Sequence, residues 1–164
     1  DDVMDCIFCK IINGELPSKK IYEDELVYAF MDIEPTVDGH VLLIPKKHYT
    51  DFMELDDDII IHMNKVRKEL TKMLMEKLNV KALSISFNYG DSQVVKHFHM
   101  HLLPNLLISD SAKNTVDEVY QIIKKLIIIL LYYLFFLFSE NISIVEAGIS
   151  SPFLCNKSRA TPLV

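Results

Sequence analysis

From His97 to Leu102 the chain alternates strictly: Phe98, Met100 and Leu102 fall on one parity, and His97, His99 and His101 on the other. A repeat of two belongs to an extended strand, whose successive side chains leave opposite faces of a sheet. The pattern predicts a strand from Val94 to Leu103, ended by Pro104, with an apolar face toward a core and three imidazoles sharing the other face. Just upstream, Leu83, Ile85 and Phe87 alternate with Ala82, Ser84 and Ser86, so Ala82–Phe87 reads as a neighbouring strand with one side against the core. Asn88-Tyr89-Gly90-Asp91 supplies the turn between them.

The remaining elements follow from periodicity and from start and stop signals. Asp5 is placed to cap a short helix starting at Cys6, and Asn13-Gly14 followed by Pro17 ends it. Ile21–Asp32, rich in Tyr, Val and Phe, reads as one strand, closed by Glu34-Pro35 and Asp38-Gly39. The apolar run from His40 to Ile44, ended by Pro45, reads as a buried strand. Ile60, Met63, Val66, Leu70, Met73, Leu74 and Leu78 recur every three or four residues, the mark of an amphipathic helix packed on a sheet. Thr115-Val-Asp-Glu118 has the spacing of a capping box, and Val116, Val119, Ile122, Ile123 and Leu126 define a second such helix behind it. The expected class is α+β, a mostly antiparallel sheet with helices packed on it.

Composition narrows the partners. With 164 residues, half of them apolar, the chain is long enough for one domain with a real core. A net charge of −6 removes broad electrostatic attraction to nucleic acid or an anionic membrane surface. An anionic ligand would therefore be met by local N–H groups and imidazoles. The cysteines, Cys6, Cys9 and a distant Cys155, form no plausible disulfide framework. With acidic residues rather than a basic segment at the start, they point to a reducing, cytoplasmic setting.

A single histidine on an apolar face is usually a satisfied core residue, and His62 and His40 are read in that way. Three on alternating positions of one strand bring a nucleophile, a general acid or base and anion donors within a few ångströms. Metal ligation is the competing reading of the same alternation.

The run His97-Phe-His99-Met-His101-Leu-Leu resembles the signature of the histidine-triad (HIT) proteins. The opening Cys-Ile-Phe-Cys-Lys-Ile-Ile, the Ala-Phe-Met-Asp-Ile around Asp32, the Gly-His-Val-Leu-Leu-Ile-Pro-Lys-Lys-His ending at His48, and the Phe-Asn-Tyr-Gly around Asn88 are similar to that family in the same order. The resemblance spans roughly residues 4–104 and is nearest to the nucleoside phosphoramidase-like branch. It implies a HIT-like fold in which two subunits commonly join into one continuous sheet. It also implies attack by His99 on the α-phosphate of a purine (AMP- or GMP-type) nucleoside phosphoramidate or dinucleoside polyphosphate. His97 and His101 would flank the phosphate as catalytic partners, Asn88 and Gln93 would add polar contacts, and Asp32, with Ile33 beside it, would receive the ribose. Val94 stands in the nucleotide site where several members carry a hydroxyl residue thought to help the leaving group. No catalytic cofactor is implied.

Cys6-x-x-Cys9 has the spacing of half a zinc site. Family members with this pair are similar in binding structural zinc through both cysteines, the histidine here at 48 and the first triad histidine, here His97. Two buried apolar thiols are the alternative.

Residues 1–125 thus read as a HIT-like catalytic domain and 126–164 as an atypical apolar stretch followed by a polar tail. The uninterrupted apolar part, Leu126–Phe138, falls short of the ~20 residues that a bilayer-crossing helix needs, so a membrane anchor is the less favoured explanation. A packing element at a dimer interface and an irregular C-terminus arising from the gene model are the others. Two further functional readings stay open: a nucleotide-binding adaptor with little turnover, and a metal-dependent hydrolase with the triad as ligands.

Overall fold

The computed structural model describes residues 5–107 and 111–125. The readings of Leu126, of the apolar stretch to Phe138 and of the tail lie outside the described residues.

Five strands make one antiparallel sheet: β1 (Lys20–Glu23), β2 (Val27–Met31), β3 (Val41–Pro45), β4 (Leu83–Ser86) and β5 (Met100–Pro104). Their order is β1-β2-β3-β5-β4. Helices α1 (Ile7–Ile12), α2 (Asp57–Lys77) and α3 (116–125) complete the α+β architecture. One sheet face, with Ala29, Met31, Leu43 and Leu102, packs on Met63, Val66, Leu70 and Leu74 of α2 and on Val119 and Ile123 of α3. The other face, with Tyr28, Phe30, Leu42 and Ile44, takes Phe8 of α1. β2 and β3 are buried throughout, which is why their sequences run apolar rather than alternating. At α3 the capping box forms as its spacing predicts: Thr115 N–H donates to Glu118 at 2.8 Å, and Glu118 N–H to the Thr115 hydroxyl at 3.2 Å.

Four expectations are corrected. The single strand read over Ile21–Asp32 is a hairpin of β1 and β2. Its turn has neither Gly nor Pro; Asp24 Oδ1 makes it by accepting the N–H groups of Leu26 and Val27, each at 2.9 Å. The histidine strand begins at Met100, not Val94, because the preceding segment bonds to the chain after β3 instead of to its ladder: Phe98 N–H donates to the Tyr49 carbonyl at 2.7 Å. Helix α1 starts at Ile7 with Cys6 at its N-cap position and no side-chain capping bond, and Asp5 pairs with Lys10 instead. Finally, β4 is an edge strand, so Ile85 and Phe87 are 38% and 41% exposed, while Leu83 packs against the core and Phe87 meets it through an edge-on contact with Phe98.

Asp24 also holds α2 to the hairpin, its Oδ2 accepting Tyr22 Oη–H at 2.8 Å and standing 2.8 Å from His62 Nε2. Working against burial, these bonds hold its carboxyl down at about 2. Asp24→Ala leaves two backbone N–H groups, a phenol and an imidazole without their acceptor, and urea unfolding should show a loss of about 2 kcal/mol.

Candidate active site

Alternation does send the three triad histidines to the α1 side of the sheet, opposite Phe98, Met100 and Leu102. Phe8 lies edge-on to the rings of both His97 and His99, with centroids 5.9 and 5.3 Å away. His99 and His101 are 5.0 Å apart by centroid.

Backbone carbonyls fix the protons, because a carbonyl can only accept. His99 Nδ1 is 2.8 Å from the His97 carbonyl oxygen, so Nδ1 carries the hydrogen and Nε2 keeps its lone pair. His97 Nε2 is 2.9 Å from the Pro45 carbonyl oxygen, so it donates there and leaves Nδ1 as the lone-pair nitrogen. On the far side, Thr36 N–H donates to His40 Nδ1 at 3.2 Å. His40 Nε2–H therefore donates to His101 Nδ1, 2.8 Å away, and His101 Nε2–H is buried without a partner among the described residues. Asp32 adds a carboxylate 3.6 Å from His40 Nε2. The result is an open lone pair on His99 beside an unspent N–H on His101.

Burial keeps all four rings neutral. It pushes His97 and His101 down to about 4, and lowers His99 and His40 as well, with the neighbouring imidazoles adding to the effect on His97, His101 and His40.

His97 is fully buried, its Nε2 bonded to the Pro45 carbonyl and its Nδ1 turned to the Cys6 thiol. What it gives His99 is its carbonyl. Gln93 is 2% exposed; its Nε2 donates to the Thr50 and Val95 carbonyls at 2.7 and 2.9 Å, and its buried Oε1 has no partner among the described residues. Asn88 is exposed after β4, Val94 is 90% exposed, and Ile33 is 78% exposed next to Asp32. His40 was read as a core residue, yet it orients His101. Its position one residue before β3, after a Gly, was the available signal. His62 is a packing residue bound to Asp24.

His97 Nδ1 faces a second cluster. It is 3.4 Å from Cys6 Sγ and 3.5 Å from Cys9 Sγ, and Cys9 Sγ is 3.4 Å from His48 Nδ1. One donor atom from each of these four residues lies within 4.8 Å of the others. Burial, then the Cys6 thiol alongside, pushes the Cys9 thiol up to about 11, so its anion is costly unless a cation sits among the donors. Two thiols and two imidazoles converging in this way are compatible with a closed, four-coordinate zinc site. Asp32, His40 and His101 also come within 4.8 Å of one another. There, however, the Thr36 N–H keeps the hydrogen on His40 Nε2, which makes that group a hydrogen-bond relay.

An antiparallel sheet carrying buried, carbonyl-oriented histidines ahead of its fourth-position strand defines a histidine-triad class of site. The HIT domain family matches residues 13–106, and the chain belongs to that family. A HIT-like protein of Methanocaldococcus jannaschii is 48% identical over 101 residues, covering 60% of this chain and 78% of that one. The adenosine 5'-monophosphoramidase of Candida albicans is 41% identical over 105 residues, 60% of this chain and 69% of that one. A zinc-bound histidine triad family protein from Mycobacterium smegmatis superposes with a TM-score of 0.69 at 28% identity, covering 80% of this chain and 99% of that one.

The pH dependence follows from the neutral rings. An unfolded His101 takes a proton near the ordinary value of 6.5 and the folded one only near about 4, so stability falls as pH drops through that window. Urea midpoints measured across it should decline less steeply in His101→Gln than in the wild-type chain.

Proposed function

We propose that the chain is a nucleotide hydrolase in which His99 Nε2 attacks the α-phosphate of a purine nucleoside phosphoramidate or dinucleoside polyphosphate. The observation that carries this reading is the His99 Nδ1 bond to the His97 carbonyl, which leaves the outer nitrogen bare. A P–N bond to His99 forms and the bond to the leaving group breaks. Water then cleaves the nucleotidyl-histidine, releasing an AMP- or GMP-type monophosphate and restoring the ring. His101 Nε2–H donates to a phosphoryl oxygen as charge builds there, kept in that tautomer by His40. Asp32 receives the ribose hydroxyls with Ile33 against the nucleoside, and Asn88 and Val94 border the phosphate and leaving group. The likeness to the fungal adenosine 5'-monophosphoramidases supports the choice of substrate class.

Residues 1–125 form the catalytic unit in this proposal, working as a cytoplasmic homodimer. Among the described residues no helix is long and apolar enough to cross a membrane. Cys6, Cys9, His48 and His97 would hold a structural zinc ion, which when bound ties α1 to the segment that carries the His97 carbonyl. The reading of the triad as three ligands of one catalytic metal has less support. His97, His99 and His101 turn Nδ1 toward three different partners: thiols, a carbonyl and His40.

Incubation with an AMP phosphoramidate should leave adenylate on His99 by mass spectrometry, and His99→Ala should lose both the adduct and turnover by about a thousandfold or more. Binding of AMP without any adduct would favour an adaptor instead. Zinc content should fall from near one per chain to near zero in Cys9→Ser, with AMP adduct formation slowed rather than abolished.

A further inference from the structure

We propose that Asp38, gripped by the chain just ahead of α3, is a positioning residue that sets the nucleotide-facing loop between β2 and β3. The inference rests on the nucleotide reading of the site. Residues 32–40 carry Asp32, Ile33 and His40, three of the groups on which that reading depends. The loop closes on itself at its neck: Asp32 N–H donates to the His40 carbonyl at 3.0 Å, and His40 N–H to the Val37 carbonyl at 3.1 Å. Its tip is fitted to the end of α2 and to β5. Gly39, at φ +81°, holds a backbone conformation that strains any side chain, and a Cβ there would come within 2.4 Å of Leu78 Cδ1 and 3.2 Å of Pro104 Cγ.

Asp38 reaches out of this loop. Its Oδ1 accepts the backbone N–H groups of Lys113 and Asn114 at 2.9 and 3.0 Å, and its Oδ2 accepts Asn114 Nδ2–H at 2.6 Å. Although burial works against it, these bonds and the Lys113 charge hold the carboxyl below its ordinary range. Asn114 is followed at once by the Thr115–Glu118 capping box, and α3 is anchored by Val119 and Ile123 in the core. A connected path thus runs from the core through α3 and Asn114 to Asp38, two residues from the ring that orients His101. Lys113 and Asn114 fall beyond residues 13–106, so this grip is made by a segment outside the matched HIT domain.

Lys113 and Asn114 are exposed, so water can take over their hydrogen bonds at small cost in stability. What water cannot do is hold the loop in register with the histidines, and misplacement of binding groups is felt in ligand affinity.

The test uses the full chain, with AMP affinity by calorimetry and kinetics on an AMP phosphoramidate. Asp38→Ala should raise Kd and KM about tenfold while kcat stays within about twofold and Tm barely moves. Asp38→Asn, which keeps the Oδ1 acceptor for both backbone N–H groups, should recover most of that loss. If Asp38→Ala does not fold, Asn114→Asp sets two carboxylates against each other at an exposed position and should weaken AMP binding in the same direction. An Asp38→Ala variant, or failing it Asn114→Asp, that binds AMP as tightly as a binding-competent wild type overturns this inference alone, as do equal losses in Asp38→Ala and Asp38→Asn. A wild-type chain that binds no AMP overturns the nucleotide reading and this inference with it.

Discussion

The arrangement depends on one hydrogen bond, from His99 Nδ1–H to the carbonyl oxygen of His97. An imidazole offers two nitrogens of nearly equal basicity, and in water either one can carry the hydrogen. A carbonyl removes the ambiguity because it has nothing to donate. The same device recurs at Pro45 for His97, and a backbone N–H does the converse at His40. Three main-chain groups thereby determine which face of each ring is basic. No charged side chain is needed for that, which suits a site whose rings are all kept neutral by burial.

His97 joins the two clusters. Its ring belongs to the thiol group and its carbonyl to His99, so whatever holds the ring also aims the nucleophile. Helix α1 contributes to both through Cys6, Cys9 and Phe8, the last packed between the second core and the rings of His97 and His99.

The apolar strand β3, the long helix α2 and the capped start of α3 are legible because each depends on local periodicity or on a short capping motif. The misreadings occur where one side chain replaces a local signal. Asp24 folds a turn whose sequence lacks Gly and Pro, and the segment before β5 leaves the ladder to bond with the chain near Tyr49. At the site, the residue types and their shared face could be read in advance, but not the division of labour. Nothing in the alternation tells that His97 points both nitrogens inward or that Gln93 spends its amide on two carbonyls. His40 was missed because a lone imidazole at a strand start is indistinguishable, in sequence, from a core residue; its partner is 61 residues away.

The most direct test is nitrogen NMR of the histidine rings at neutral pH, which reads the tautomer of each imidazole. The expected result is His99 with hydrogen on Nδ1 and a bare Nε2, and His101 with hydrogen on Nε2. A His99 ring protonated at Nε2, or carrying hydrogens on both nitrogens, would leave no lone pair facing the ligand and would contradict the assignment of His99 as the nucleophile.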